Sequence, residues 1–195
     1  MGMDGIRNFT MIFVTSNPGK AKEAREILGR DLDRRNYDYR EIQTDSIREV
    51  AEDGAEKCFA ELGEPCFVDD SGLFVDGLGG FPGPYSSYVH GTLGNEGLLN
   101  ASSGLEDREA EFRCVVAYCD GDTTKSFSGV VKSALTIEQR GSNGFGFDPV
   151  FEYRPEREDG GVDELCGTTL AELSGNQKNR ISHRKRAFEE FRCWL

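Results

Sequence analysis

The chain has 195 residues, of which 37% are hydrophobic and 30% charged, a composition typical of a folded globular protein. Its formal net charge of −12 argues against a nucleic-acid partner, because nucleic-acid binding depends on neutralising phosphates. No apolar run approaches the roughly 20 residues of a membrane helix, and residues 1–8 lack the apolar core of a signal peptide, so we expect a cytoplasmic protein with no membrane partner.

The beginning of the chain alternates between strand and helix patterns. An apolar run rich in β-formers predicts a buried strand over residues 11–15. Asn17 is a good N-cap, Pro18 suits the first helical position and Gly29 can end the helix that follows. Residues 37–42 give a weak prediction of a second strand.

A second helix and a third strand come next. Apolar residues recur at helical period over 47–62, and residues 66–68 predict a buried strand that runs into Asp69 and Asp70, which we expect at a turn. Beyond them, the sequence predicts a loop over 77–84 and a short helix over 95–100. Two strands are predicted over 110–119 and 126–134, joined by a turn at 120–122. The rest of the chain is predicted to form a loop over 141–149, a surface loop over 154–161 and one amphipathic helix over 174–194.

This order of elements predicts an α/β protein with a mixed, twisted sheet. We expect residues 1–10 to be an N-terminal extension and residues 11–195 to form a single domain. The six cysteines include no C-x-x-C pair, so we expect reduced and mostly buried thiols rather than a zinc site.

The junction between the first strand and the first helix is a candidate anion site. It reads Thr15-Ser-Asn-Pro-Gly-Lys20. A helix N-terminus carries unpaired N–H groups and the positive end of the helix dipole, and Lys20 adds a mobile positive charge. The alternative is a capped helix with a purely structural role, since the G-x-x-x-x-G-K-[ST] pattern of a P-loop is absent.

The adjacent carboxylates Asp69 and Asp70 are a candidate metal site, because they follow a buried strand where α/β folds place ligands. Neighbours on an extended chain face opposite ways, so we expect one carboxylate to face the site and the other to serve the turn. Carboxylate oxygens suit Mg²⁺, which can lie between them and a phosphate. The alternative is a turn in which Asp69 caps backbone groups.

A basic cluster near the end of this acidic chain is a candidate phosphate site. It consists of Lys178, Arg180, His183, Arg184, Lys185 and Arg186. Positive charges near a helix N-terminus are unfavourable, and a polyphosphate ligand would explain them. The alternative is a solvated helix face whose charges pair with Glu189 and Glu190.

The loop over residues 142–149 is rich in glycine and aromatic residues. Its glycines let the backbone approach a ligand closely. Phe145 can stack on a base, and Asp148 can accept hydrogen bonds from a base edge. The alternative is a packed turn with two core aromatic residues.

Five motifs of the chain resemble those of the inosine triphosphate pyrophosphatase family, also called the HAM1 family, over residues 11–191. They read Phe13-Val-Thr-Ser-Asn-Pro-Gly-Lys20, Val68-Asp-Asp-Ser-Gly-Leu73, Gly79-Gly-Phe-Pro-Gly-Pro-Tyr85, Gly144-Phe-Gly-Phe-Asp-Pro149 and Ser182-His-Arg184. Their shared order and spacing make the resemblance specific. It implies hydrolysis of non-standard purine nucleotides (ITP, dITP and XTP) to the monophosphate and pyrophosphate, with Mg²⁺ as cofactor. It also implies an elongated mixed sheet flanked by helices, in two lobes with a central cleft, and a homodimer.

The resemblance further implies roles for residues at matching positions. Asp70 would be catalytic and would share the metal with Glu41. The implied substrate-binding residues are Thr15, Ser16, Asn17, Pro18, Gly19 and Lys20 for the phosphates, Ser71 beside the metal, Phe145, Gly146, Phe147 and Asp148 for the base, and Lys178, His183 and Arg184 for both. Many relatives carry a lysine where this chain has Ser87, and another before the aspartate pair, a role for which Lys57 is the candidate.

Two other functions fit parts of the pattern. A haloacid-dehalogenase-type phosphatase would release orthophosphate, but it needs a D-x-D motif, and here Asp69 and Asp70 are adjacent and residue 72 is Gly72. A regulatory protein on the same scaffold would bind the nucleotide without turnover, but pure binding does not need the two carboxylates Glu41 and Asp70.

Overall fold

The structure is a computed structural model that describes residues 11–155 and 163–195. Within these residues it contains seven strands and five α-helices. The strands are β1 (Met11–Val14), β2 (Leu32–Arg35), β3 (Cys66–Val75), β4 (Pro82–Gly83), β5 (Glu109–Cys119), β6 (Thr124–Leu135) and β7 (Phe151–Tyr153). The helices are α1 (Pro18–Leu28), α2 (Ile47–Leu62), α3 (Ser86–Ala101), α4 (Gly175–Ile181) and α5 (His183–Trp194).

The strands form one mixed sheet in the order β2-β1-β3-β5-β6-β7, with β4 paired to β3. β1 lies parallel to β2 and β3, whereas the other pairings are antiparallel. The predicted α/β class with a mixed sheet flanked by helices is therefore confirmed. No helix in the described part of the chain is long and apolar enough to cross a membrane.

Strand β3 separates two layers of the core because its side chains alternate between faces. On one face, Val68 packs in a cluster with Ala51 and Ala55 of α2. On the other face, Phe67 packs with residues of α1 and with Phe188 of α5. The same alternation sends the neighbouring side chains of Asp69 and Asp70 to opposite layers.

The expected turn at Asp69 and Asp70 is wrong, because both residues lie inside β3. The strand continues to Val75, and its whole length pairs with β5, which sets Asp69 opposite Val116 and Asp70 opposite Val115. Aspartate is disfavoured in strands, but here the long ladder and the charges near Asp69 override that preference.

The second strand is also displaced from its predicted position. Residues 37–42 have no regular structure, and β2 instead comprises Leu32–Arg35, which pairs in parallel with β1. Its buried Leu32 joins the core on the α1 side. The predicted strands over 110–119 and 126–134 are confirmed as β5 and β6.

Two helices differ from their predicted extents. The predicted single helix over 174–194 divides at Ser182, whose backbone is extended (φ −72°, ψ 139°) and whose side chain caps α5 by accepting from the Lys185 N–H. The short helix predicted over 95–100 is the second half of α3, which breaks at Gly94 (φ 65°, ψ −171°). The surface loop predicted over 154–161 falls mostly outside the described residues.

The predicted loop over 77–84 starts in a short 3-10 turn (Asp76–Leu78) and includes the two-residue strand β4. Residues 141–149 form the predicted loop, and a second 3-10 turn begins at its end with Asp148. The cysteines are free, as expected. Four of them are buried, and Cys166 and Cys193 are exposed.

Candidate active site

A cavity of about 490 Å³ lies where the strand–helix junction, β3, α3, the 141–149 loop and the last two helices meet. The predicted site residues that line it are Thr15, Ser16, Asn17, Lys20, Glu41, Ser71, Phe145, Gly146, Phe147, Asp148, Lys178, His183 and Arg184. Pro18, Gly19 and Asp70 are not part of its lining. The fold thus brings together nearly all of the residues that were singled out far apart in the sequence.

The N-terminus of α1 is capped from within the chain. Asn17 Oδ1 accepts hydrogen bonds from the N–H groups of Gly19 (2.8 Å) and Lys20 (3.3 Å), and Thr15 Oγ1 accepts from the Asn17 N–H (3.1 Å). Pro18 has no N–H to offer. These first-turn donors are therefore occupied, so the groups that could still attract an anion to the junction are the helix dipole, the side chains of Thr15 and Ser16, and the charge of Lys20.

Asp69 is the centre of a buried ion cluster. Its side chain is fully buried, with Oδ1 3.3 Å from Lys20 Nζ and Oδ2 accepting a 3.0 Å hydrogen bond from Arg184 Nε. Burial alone would raise the pKa of Asp69, but the charges of Lys20 and Arg184 outweigh it and hold the pKa below its usual value. Asp69 is therefore ionised and holds both cations at the wall of the cavity.

Asp70 lies in a different environment on the opposite face of β3. Burial raises the pKa of Asp70 to about 7, and the nearby charges of Glu41 and Asp69 add to this effect while Lys20 opposes it. Its Oδ2 atom is buried and has no hydrogen-bond partner within the described residues. An unpaired buried carboxylate oxygen is costly, so this position suits a bound cation or a transferable proton.

Glu41 and Asp70 fit a magnesium ion that takes few protein ligands. Glu41 is exposed, lines the cavity and acts electrostatically on Asp70. In residues 11–155 and 163–195 no group of three or more His, Cys, Asp or Glu side chains could hold a metal alone. Mg²⁺ commonly binds through one or two carboxylates together with substrate phosphates and water, so two carboxylates and one orphan oxygen match its chemistry.

The aromatic loop forms another wall of the cavity. Lys178 Nζ lies 4.5 Å and Arg184 Cζ 5.6 Å from the centroid of the Phe145 ring. Asp148 Oδ2 accepts from the Phe145 N–H (2.8 Å) and from Lys178 Nζ (2.8 Å). That oxygen of Asp148 is thus already used to close the loop and to hold Lys178, whereas Phe145 as a residue remains 40% exposed.

His183 is buried and stacks on Phe112, with ring centroids 4.7 Å apart and an interplanar angle of 14°. Burial lowers the pKa of His183 well below its usual value, and the charges of Arg184, Lys178 and Lys20 lower it further. Its Nδ1 atom has no hydrogen-bond partner in the described part of the chain. A neutral imidazole in this position can donate one hydrogen bond and accept another.

Two residues at or next to the cavity were missed at the level of sequence: Glu23 does not line the cavity but pairs with two cations that do, and His90 lines it. Glu23 pairs with Lys178 Nζ (3.3 Å) and with Arg184 Nη1. It lies three positions after Lys20, so helical spacing alone places it on the same face of α1. His90 also lines the cavity and packs edge-on against Phe147 at 5.2 Å. The helix that carries His90 was predicted over residues 95–100 only, so His90 was not identified as a helical residue near the site.

Lys57 was a candidate phosphate ligand, but its charge is engaged elsewhere. Its Nζ lies 2.7 Å from Asp53 Oδ2 and donates a 2.7 Å hydrogen bond to the carbonyl of Arg40. The residue does not line the cavity. Ser87 does line it, in the position where many relatives were expected to carry a lysine.

Comparison with known proteins gives a consistent assignment. The chain is similar to the dITP/XTP pyrophosphatases of Methanopyrus kandleri (46% identity, covering 94% of this chain and 95% of the relative) and Thermococcus kodakarensis (46%, covering 95% and 96%). Among solved structures it resembles a HAM1 protein from Coxiella burnetii (TM-score 0.79, 30% identity, covering 96% and 98%) and the Staphylococcus aureus Ham1 protein (0.77, 30%, covering 95% and 97%). The sequence model of the Ham1 family matches residues 11–194, and the chain therefore belongs to the Ham1 family.

Proposed function

We propose that this chain hydrolyses non-standard purine nucleoside triphosphates, such as ITP, dITP and XTP, to the monophosphate and pyrophosphate. The observation that carries the proposal is the contrast at Asp69 and Asp70: beside one cavity, the first aspartate secures two cations and the second keeps a buried unpartnered oxygen. Relatives with more than 40% identity over nearly their whole length are named dITP/XTP pyrophosphatases, which supports this reaction.

Glu41 and Asp70 are proposed to hold the magnesium ion. When bound, Mg²⁺ would offset the negative charge of the triphosphate and polarise its phosphoryl oxygens. The carboxylates of Glu41 and Asp70 would be its protein ligands, and Mg²⁺ commonly takes phosphate and water as its other ligands.

Asp70 is proposed to orient the attacking water and to accept its proton. Without a bound cation, burial raises the pKa of Asp70 to about 7, so the free carboxyl group can take up a proton near neutral pH. A coordinated Mg²⁺ would lower that pKa, so with the metal in place Asp70 would act first as an ionised carboxylate that orients the water. The water would attack the α-phosphorus, so that pyrophosphate is the leaving group. Ser71 lies next to Asp70 in β3, lines the same cavity and can hydrogen-bond to a phosphate oxygen.

The phosphates are proposed to lie at the junction of β1 and α1. Lys20 would supply charge, while the hydroxyl groups of Thr15 and Ser16 would supply hydrogen bonds. Lys20 is already held by the backbone carbonyl of Asp69 at 2.9 Å, so it is pre-positioned before the substrate arrives. Fixed donors of this kind stabilise developing charge without reorganisation during the reaction.

The purine base is proposed to lie against Phe145 and near His183. The 6-oxo group of ITP or XTP accepts hydrogen bonds, whereas the 6-amino group of ATP donates them. A donor from His183 or Arg184 would remain unpaired opposite adenine, and a buried unpaired donor is costly. Lys178 would complete the contact beside the Phe145 ring.

Two further features belong to the proposal. We propose a homodimer, which is consistent with the exposed Tyr85, Tyr88 and Leu93 at the first half of α3. We also propose that the protein acts in the cytoplasm, where nucleoside triphosphates are made and used.

The test of the proposed function is product analysis with separate substrates. Purified protein is incubated with Mg²⁺ and ITP, XTP, GTP or ATP, and the released phosphate species is identified. We expect pyrophosphate from ITP and XTP, little product from GTP or ATP, and none in EDTA. Release of orthophosphate would indicate a phosphatase, and binding of ITP without turnover would indicate a regulatory protein.

A further inference from the structure

The segment over residues 36–46 carries Glu41 into the cavity without any regular structure of its own. Glu41 is exposed, so its own side chain is not held by surrounding core residues. A metal ligand must nevertheless be placed accurately, and neighbouring groups usually provide that support. The contacts between this segment and α2 show which groups could do so.

The ring of Tyr39 packs against the helix backbone at Gly54. A Cβ atom on residue 54 would lie 2.6 Å from the Tyr39 hydroxyl oxygen, 2.9 Å from Cζ and 3.0 Å from Cε2. These distances are too short for any side chain at residue 54. Tyr39 also packs against the apolar cluster beneath α2, so its ring is held from two sides.

Lys57, one helical turn after Gly54, makes a second contact with the same segment. Its Nζ donates a 2.7 Å hydrogen bond to the carbonyl of Arg40, the residue just before Glu41. Asp53 pairs with the same ammonium group at 2.7 Å and keeps it in place. The residues immediately before Glu41 are therefore held by two neighbouring points on α2.

Gly54 has no conformational reason to be glycine. It is the only glycine within α2 and lies in its interior, and it is not among the glycines with positive φ in the described residues. Glycine weakens a helix interior relative to alanine. The space that it leaves is occupied by Tyr39, so the tertiary contact accounts for a residue that the helix itself disfavours.

We propose that Tyr39 and Lys57 are positioning residues that dock the 36–46 segment on α2 and so hold Glu41 beside Asp70. The inference rests on the proposed function, in which Glu41 and Asp70 bind the metal. Gly54 provides the notch that makes the docking possible. Lys57 thereby serves the site through the backbone of Arg40 and not by touching phosphate.

The test is direct binding of Mn²⁺ to the nucleotide-free protein, measured by electron paramagnetic resonance. Gly54→Ala should push the Tyr39 ring away and weaken Mn²⁺ binding about tenfold, as is typical when a supporting contact of a metal site is lost. The matched control is Gly91→Ala in α3, where a Cβ meets no atom within 4 Å. That variant should bind Mn²⁺ as the wild type does.

A second variant separates docking from a general folding defect. Tyr39→Ala removes the ring and should also weaken Mn²⁺ binding. In the double variant Gly54→Ala with Tyr39→Ala, the added methyl group has no ring to displace, so binding should equal that of Tyr39→Ala alone. Circular dichroism and thermal unfolding show which variants are folded at the assay temperature.

The outcomes distinguish this inference from the proposed function. If Gly54→Ala and Tyr39→Ala both bind Mn²⁺ like the wild type, the docking proposal is overturned while the metal site stands. If the wild type binds no Mn²⁺, or binds it no more tightly than the Glu41→Gln variant does, the metal site fails and the docking proposal fails with it. Additive losses in the double variant would also overturn the proposed contact between Tyr39 and residue 54.

Discussion

Asp69 and Asp70 are neighbours in one strand and both lie near Lys20, yet the rest of their surroundings differ. Asp69 faces the layer of α1 and α5, where Arg184 donates to Oδ2 and Lys20 Nζ forms an ion pair with Oδ1 at 3.3 Å, although Oδ1 accepts no hydrogen bond in the described residues. Asp70 faces the layer of α2, where the nearby charge of Glu41 is negative and Oδ2 has no partner. Consequently the pKa of Asp69 is lowered and that of Asp70 is raised to about 7.

The difference shows how a strand can divide two roles between two identical residues. Alternation of side chains sends adjacent carboxylates into separate layers, and each layer sets its own electrostatic environment. Two carboxylates whose environments push their pKa values apart can serve one site, one as a permanent charge and the other as a proton acceptor. Under the proposed function, Asp69 is the permanent charge that arranges the cations, and Asp70 is the proton acceptor beside the proposed metal position.

The largest effect is expected for Asp70→Asn. The amide cannot accept a proton from water and is a poor metal ligand, so kcat for pyrophosphate release from ITP should fall about 10²–10⁴-fold. The protein should remain folded, because the amide replaces a carboxyl group that burial already disfavours in its charged form. Steady-state kinetics and circular dichroism measure the two quantities.

The matched variant is Asp69→Asn, which changes the same functional group one residue away. If Asp70→Asn retained a near wild-type kcat while Asp69→Asn abolished turnover in a fully folded protein, the assignment of the two roles would be reversed.

Asp69→Asn should mainly damage stability. The change leaves the buried guanidinium of Arg184 and the Lys20 ammonium without their shared carboxylate, although Arg184 keeps Glu23. Breaking a buried ion pair by removing one partner costs about 3–5 kcal/mol, which corresponds to roughly 10 °C in Tm for a chain of this size. Thermal unfolding at pH 7 checks this value, and a Tm equal to that of the wild type would contradict the role of Asp69 as an anchor.

The strongest local signals in the sequence predicted the elements that frame the site. The Asn17 cap and Gly29 set the ends of α1, and the long alternating runs predicted β5 and β6. These features depend on nearby residues only, so a single sequence contains them. The split at Ser182 was missed because the amphipathic pattern continues across it, although a serine N-cap signal was present.

The features that were missed depend on contacts between distant parts of the chain. The two aspartates appeared to end a strand, and only the ladder with β5 shows that β3 continues through them. Glu41 was assigned by family resemblance alone, since nothing in residues 36–46 marks it locally. Glu23 joins Lys178 and Arg184 from 155 and 161 positions away, which no local pattern reports.

The two aspartates should also respond oppositely to pH when no metal is present. Because the pKa of Asp70 is raised from 3.8 to about 7, the folded state holds its proton longer, and Asp70 costs stability as pH rises through this window. The pKa of Asp69 is lowered, so its stabilising effect is present above pH 3.8 and is lost as pH falls below that value.

Urea unfolding in EDTA between pH 3 and pH 8 measures this contrast. Relative to the wild type, the free energy of unfolding of Asp70→Asn should increase by a few kcal/mol between pH 4 and pH 7, and the difference should then reach a plateau. Asp69→Asn should be less stable at pH 7 and should approach the wild type at the acidic end. Parallel profiles for the two variants would remove the electrostatic basis of the comparison.

The smallest effect concerns His183, whose pKa is lowered by burial and by the cations gathered on the Asp69 side of β3. The unfolded chain takes up a proton below pH 6.5 but the folded chain does not, so stability falls by up to about 1.4 kcal/mol for each pH unit below 6.5.

The chain has two histidines, so the folded His90→Gln variant leaves only the imidazole of His183 to follow by ¹⁵N NMR. We expect its nitrogens to keep the shifts of a neutral ring down to pH 5. A charged His183 at pH 6 would mean that Asp69, Glu23 and Asp148 neutralise the cations Lys20, Lys178 and Arg184 more fully than their geometry indicates. A charged ring donates from both nitrogens, so the donor proposed towards the 6-oxo group would remain, whereas the neutral imidazole described at the site would be wrong.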